Sequence, residues 1–137
     1  KIIHPSFVSI IKELNGLDAQ ILVMIKDAEC LPYAKLFGVH EDNSTLTPFY
    51  PHMFALPEDE NHPGNEIVSS IENLERLKLI TIRNDILCFK DAYTAFEMRE
   101  RYKLYDQIIK QENGYLKMDK YRVELTQLGL NFVSVCC

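Results

Sequence analysis

Between Ile67 and Ile82, in IVSSIENLERLKLITI, the apolar residues Ile67, Ile71, Leu74 and Leu77 recur at helical spacing before Leu79 to Arg83 becomes a short β-rich run. Near the other end, in YRVELTQLGLNFVSV, the order reverses. Tyr121, Val123 and Leu125 alternate as in a strand, and Thr126 then opens a short apolar helix ending near Val135. Upstream, His4-Pro5 opens a helix whose Phe7, Ile10, Ile11 and Leu14 share one face, with Gly16 as its stop. Asp18 is the expected N-cap of the next helix, with Leu17 stapled to Leu22. Ile21 to Ile25 is apolar all round, and that helix should end near Cys30 because Pro32 cannot continue it.

The remaining pattern is read in the same way. Tyr33 to Val39 suits a short strand, and 40–64, with Pro48, Pro51, Pro57 and Pro63, reads as a flap tacked down by Phe49, Tyr50, Met53 and Phe54. Asn65 is the expected N-cap of the central helix, with Glu66 near its positive end. Asn84-Asp85 lies between the β-rich runs Leu79 to Arg83 and Ile86 to Lys90, which predicts a two-stranded wing. Asp91 then caps an inserted helix over 92–113, closed by Gly114. Its stripe is Met98, Tyr102, Tyr105 and Ile109, widened by Leu104 and Ile108. The sum is an α+β, winged-helix-like domain over 1–137, mostly helical, with a small antiparallel sheet and a long inserted helix. At 137 residues and 47% hydrophobic, the chain is sufficient for one core. Because it begins at Lys1 instead of Met, it reads as the C-terminal part of a longer protein.

No apolar run approaches the roughly 20 residues that span a bilayer, and the N-terminus lacks signal-peptide character. Cys30, Cys88, Cys136 and Cys137 show no C-x-x-C spacing, which suits a reducing cytoplasm better than a disulfide framework or a zinc site. A formal net charge of −5 disfavours attraction to phosphate backbones.

Candidate chemistry is sparse. His40, His52 and His62, with Cys30 or Cys88, contain no close pair of metal donors, and they read as surface histidines without a metal. Cys30 and Cys88 lie in apolar runs that disfavour a thiolate, and the five glycines are isolated, which leaves no phosphate loop. No catalytic residue and no cofactor is nominated. Cys136 reads as a small buried hydrophobe. Tyr93, Tyr102, Tyr105, Tyr115 and Tyr121 admit a stacking platform for single strands, though core or interface packing is the simpler reading. The solvent face of the central helix should show Glu66, Ser69, Ser70, Glu72, Asn73, Glu75 and Arg76. Three carboxylates there would oppose phosphates, and the nearest cations, Lys117, Lys120 and Arg122, are few.

Two patterns, I-x-x-L-x-R-L-x-L-I from Ile71 to Ile80 and L-T-x-L-G-x-x-F from Leu125 to Phe132, resemble the helix-into-wing and closing-helix signatures of bacterial winged-helix regulators, with Lys78 where those usually have Gly. Together with H-P-x-F-x-x-I-I-x-x-L from His4 to Leu14, L-D-A-x-I-L from Leu17 to Leu22 and Cys136, the set is similar to the bacterial abortive-infection alpha family, a domain of unknown function. The resemblance implies a cytoplasmic bacterial protein that acts in phage defence, and it carries over no catalytic residues. The expected function is therefore a noncatalytic protein-interaction module. Its partner-contact residues are Ser69, Glu72, Asn73 and Arg76, and it pairs with itself through the 92–113 helix. The alternative is a winged-helix DNA-binding regulator.

Overall fold

The computed structural model describes residues 5–42 and 52–137. Among these residues the elements run α1 (Pro5–Glu13), α2 (Gly16–Ala28), β1 (Cys30–His40), β2 (His52–Phe54), α3 (Gly64–Arg76), β3 (Ile80–Arg83), α4 (Lys90–Glu97), α5 (Glu100–Gln111), β4 (Gly114–Leu125) and α6 (Gln127–Cys136). The fold is α+β, and the four strands form an antiparallel sheet ordered β2-β1-β4-β3. The chain divides into two compact units. Unit 1 comprises Lys1–Leu31, Glu58–Arg83 and Val123–Cys137, and unit 2 comprises Pro32–Pro57 and Asn84–Arg122. β4 begins in unit 2 and finishes in unit 1.

In unit 1, α2 packs on α3 and α6. Ile21, Leu22, Ile25, Ile71 and Leu74 are buried together with Val123 and Phe132. Phe132 meets Phe7 of α1 edge to face, with ring centroids 5.3 Å apart. The ladder expected between Leu79–Arg83 and Tyr121–Leu125 is present, since β3 and β4 are neighbours in the sheet.

The wing expected from Ile86 to Lys90 does not form. Residues 84–89 are irregular and Lys90 already belongs to α4, so β3 stands at the end of the sheet with β4 as its neighbour. Helix starts also moved. Gly16 does not stop α1 but opens α2. Asn15 is the N-cap in place of Asp18, because Asn15 Oδ1 accepts from the Asp18 N–H (2.8 Å) while Asp18 Oδ2 accepts from the Asn15 N–H (3.1 Å), a reciprocal capping box. α3 starts after Pro63 and not after Asn65, and α4 after Phe89 with Asp91 in its first turn. α2 stops at Ala28, before Pro32 can matter, with Glu29 at φ 70°.

The C-terminus of α3 explains Lys78. The Lys78 N–H donates to Glu75 O (2.9 Å) and the Leu79 N–H to Leu74 O (3.0 Å), the paired bonds of a Schellman motif. That motif places Lys78 at φ 61°, where a side chain costs roughly 1–2 kcal/mol relative to Gly before backbone entropy is counted. Lys78→Gly is therefore expected to raise stability by about 0.5–1 kcal/mol, read as a higher urea midpoint with unchanged slope. A lower midpoint would show that Lys78 contributes something its backbone does not.

In unit 2 one face of the sheet carries Ala34, Leu36 and Met53, packed against Tyr93 and Phe96 of α4 and Ile109 of α5, with Leu116 and Met118 of β4 beside them. The helix expected over 92–113 is broken at Met98–Arg99, where Arg99 is extended (φ −74°, ψ 142°). The cause is phase. At about 100° per residue, Tyr93 and Phe96 lie on one side of a continuous helix, and Tyr102, Tyr105 and Ile109 lie nearly half a turn away. Only a break brings both sets to the same core. Met98, read as part of the stripe, is consequently exposed.

The flap expected over 40–64 is partly sheet. β2 pairs antiparallel with β1, placing Tyr33 opposite Phe54 and Lys35 opposite His52, and Met53 and Phe54 are buried. Phe49 and Tyr50 lie outside the described residues. Asp59 organises the turn before α3, its Oδ1 accepting from the backbone N–H groups of Asn61 (2.8 Å) and His62 (2.7 Å).

Candidate functional site

The four residues expected on a contact surface of α3 divide into two pairs. Ser69 and Glu72 are exposed. Asn73 and Arg76 are committed within unit 1. Asn73 Nδ2 donates to Asp18 Oδ2 (3.0 Å) and to the Glu13 carbonyl (3.2 Å), and Arg76 donates to Glu13 Oε1 (3.1 Å) and Asn73 Oδ1 (2.7 Å). The Arg76–Glu13 ion pair is solvent-exposed and contributes at most about 1 kcal/mol.

Beneath them sits a polar centre that the sequence reading did not assemble. Asp18 is 1% exposed, and Ser70, expected on the solvent face of α3, is buried and donates its hydroxyl to Asp18 Oδ1. Asp18 thus receives the Asn15 N–H, the Ser70 O–H and the Asn73 amide, so a carboxylate buried beside an apolar core is satisfied. The available signal was helical phase. Ser70 falls between Ile67 and Leu74 on the stripe that also carries Ile71.

A second junction joins the two sequence patterns that carried the family resemblance. The Thr126 hydroxyl donates to the Lys78 carbonyl (2.6 Å) and accepts from the Gly129 N–H (2.9 Å), while the Thr126 N–H donates to Leu79 O (3.0 Å). One residue caps α6 and ties it to the end of α3. Gly129 is buried against the same Leu79 carbonyl.

The remaining candidates scatter. Tyr33 and His52 Nδ1 share a hydrogen bond, His62 sits in the Asp59 turn, and His40 lines an open depression with Glu41, Asp42 and Asn113. Among the described residues no group of three His, Cys, Asp or Glu side chains is placed to hold a metal ion. Cys30 and Cys88 are half-buried. Cys136 is also only half-buried and not the buried hydrophobe expected, because the last turn of α6 is not covered as Phe132 and Val133 are. The Cys137 thiol is pushed above its ordinary range by burial and by the neighbouring Cys136, against a smaller opposing pull from Lys26.

The tyrosines separate by face. Tyr93 is buried, donating to the Tyr121 carbonyl (2.7 Å) and accepting from the Cys88 N–H (3.1 Å). Tyr102 and Tyr105 are half-buried against the unit 2 core. The Tyr102 phenol is raised above its usual range by burial and then by Glu97 and Asp106. Tyr115 and Tyr121 belong to the opposite side of the sheet. Lys120 lies over the Tyr93 ring at 5.7 Å and Lys117 faces Asp119 at 3.8 Å, both on β4, the returning strand expected to carry them.

What fold and site define is a small α+β domain whose buried polar groups serve its own assembly. The sequence profile of the family described as abortive infection alpha matches residues 1–136, and the chain belongs to that family. In three dimensions it is similar to an uncharacterized protein from the hydrocarbon-degrading marine bacterium Alcanivorax borkumensis SK2. The TM-score is 0.55 at 10% identity, covering 98% of this chain and 97% of that one, a likeness of fold alone. No curated protein matches significantly. Among the described residues no helix is long and apolar enough to cross a membrane.

Proposed function

We propose that this chain is a noncatalytic protein-interaction module acting in the bacterial cytoplasm in abortive infection, and that it pairs with itself through α4 and α5. The observation that carries this reading is the apolar surface those helices leave uncovered: Met98 is 68%, Leu104 54% and Ile108 40% exposed, while Ile109 beside them is fully buried. Leu104 and Ile108 are four residues apart and adjoin on the outer side of α5, the arrangement that a helix offers to a partner helix. Ser69 and Glu72 on α3 are the proposed contacts for a different protein. With Glu66 and Glu75 also exposed there, that face suits a protein better than duplex DNA. Sedimentation of the wild-type chain and of a Leu104→Glu/Ile108→Glu variant tests self-pairing. The expected result is a dimer lost in the variant without loss of circular dichroism. A wild-type chain still monomeric at concentrations on the order of 100 µM overturns self-pairing.

A further inference from the structure

The negative charge that argued against nucleic acid is confined to one unit. Unit 1 carries six Lys and Arg against eleven Asp and Glu, which is the whole formal −5, whereas unit 2 carries nine of each sign. The general electrostatic objection therefore does not apply to a surface of unit 2.

One sheet face of that unit turns away from α4 and α5; Tyr33 and Phe54, on this side by the β1–β2 register, are buried, and the part around Tyr115 and Lys117 is exposed. Ala34, Leu36, Leu116 and Met118 point to the core under α4 and α5, so strand alternation places Lys35, Phe37 and Val39 of β1 and Tyr115, Lys117 and Tyr121 of β4 on the other side. Three contacts verify the assignment: Lys35 Nζ lies 5.1 Å from the Tyr121 ring centroid, the Tyr33 and Tyr121 rings are 6.3 Å apart, and Lys117 Nζ is 3.8 Å from Asp119 Oδ1.

The cross-strand register follows from the same contacts. The Glu41 N–H donates to Asn113 O, and counting inward two residues at a time in an antiparallel ladder sets Val39 beside Tyr115 and Phe37 beside Lys117, and arrives at Tyr33 beside Tyr121, which is the contact observed. Phe37 beside Lys117 thus sets a ring next to a lysine, and Tyr33 beside Tyr121 a ring next to a ring. Tyr115 is 47% exposed, Lys117 is exposed, and Phe37 and Tyr121 are half-exposed. Two lysines stand on this face with the carboxylates of Glu41, at its end, and Asp119. The contact of Asp119 with Lys117 is a solvent-exposed pair of little strength, which a phosphate can replace.

We propose that the exposed part of this face of β1 and β4 binds single-stranded nucleic acid, with Tyr115 and Phe37 stacking on bases and Lys117 and Lys35 on the phosphates. The chemistry fits because rings accept any unstacked base, whereas a duplex hides its base faces. The inference is independent of self-pairing through α5.

The test is fluorescence anisotropy with labelled oligothymidylate and oligouridylate of roughly 15 nucleotides, a length at the upper end of such sites. Saturable binding that weakens steeply with salt is expected, and comparison of the two oligomers distinguishes DNA from RNA as the ligand. Tyr115→Ala is expected to weaken binding about ten-fold and Tyr115→Phe to retain it, because stacking needs the ring and not the hydroxyl. Lys117→Glu should weaken binding at low salt, while Lys12→Glu, the same charge change on α1 in unit 1, should leave it unaltered. Both Tyr115 and Lys117 are exposed, so these variants keep the fold, which circular dichroism verifies. No saturable binding at low salt overturns the proposal. So does equal affinity for a duplex, or a loss in Lys12→Glu as large as in Lys117→Glu.

Discussion

Gly129→Ala is expected to destabilise the protein by about 3 kcal/mol or more, the reverse of what the same change does at an ordinary helix position. Within a helix, Gly to Ala usually gains up to about 1 kcal/mol from propensity. At Gly129 a Cβ would fall inside the van der Waals shell of the Leu79 carbonyl, 2.9 Å from its carbon, and that carbonyl is held in place by the Thr126 N–H at 3.0 Å. Neither backbone can withdraw without breaking the tie between α6 and the end of α3, so the overpacking cost stands at or above the usual range of about 1–3 kcal/mol. Measured against a total stability of roughly 5–15 kcal/mol, this is enough to depress the thermal midpoint strongly or to abolish soluble expression. A Gly129→Ala protein with an unchanged or raised midpoint would mean that α6 does not approach Leu79 as closely as described.

The second large effect is at the buried carboxylate. Asp18→Ala removes the acceptor for the Asn15 N–H, the Ser70 hydroxyl and the Asn73 amide, and it leaves at least the Ser70 hydroxyl buried without a partner. Loss of the return half of the capping box together with an orphaned buried donor gives about 2–4 kcal/mol. Asp18→Asn should be nearly as damaging, because its amide would bring a donor toward donors. The sharper test is the double variant. Ser70→Ala removes the group that Asp18→Ala orphans, so the pair together should cost less than the sum of the single changes. Strict additivity in urea denaturation would show that the two residues do not communicate.

The α+β class and the β3–β4 pairing were legible in the sequence because they rest on periodicity, which survives whatever the tertiary context. What failed was decided by competition between neighbours. Asp18 has the chemistry of a cap, but Asn15 three residues earlier takes that position and turns Asp18 into its reciprocal partner. The 92–113 segment contains no Gly or Pro to mark a break. The break is encoded only in the phase between Tyr93–Phe96 and Tyr102–Ile109, which a single stripe drawn from Met98 conceals. Of the candidate site, Ser69 and Glu72 were placed correctly as exposed. Asn73 and Arg76 were not legible as internal ties, because their acceptors, Glu13 and Asp18, lie more than fifty positions away in the chain.

The interruption between α4 and α5 has a consequence for cooperativity. Segments of 8 and 12 residues are at or below the length, about 12–15 residues, at which a lone helix is even marginal in water. Each owes its existence to the apolar layer it shares with β1 and β4, and neither can persist once that layer opens. The pair and the strands beneath it should therefore lose amide protection in a single step, with no intermediate in which helices float free of their support.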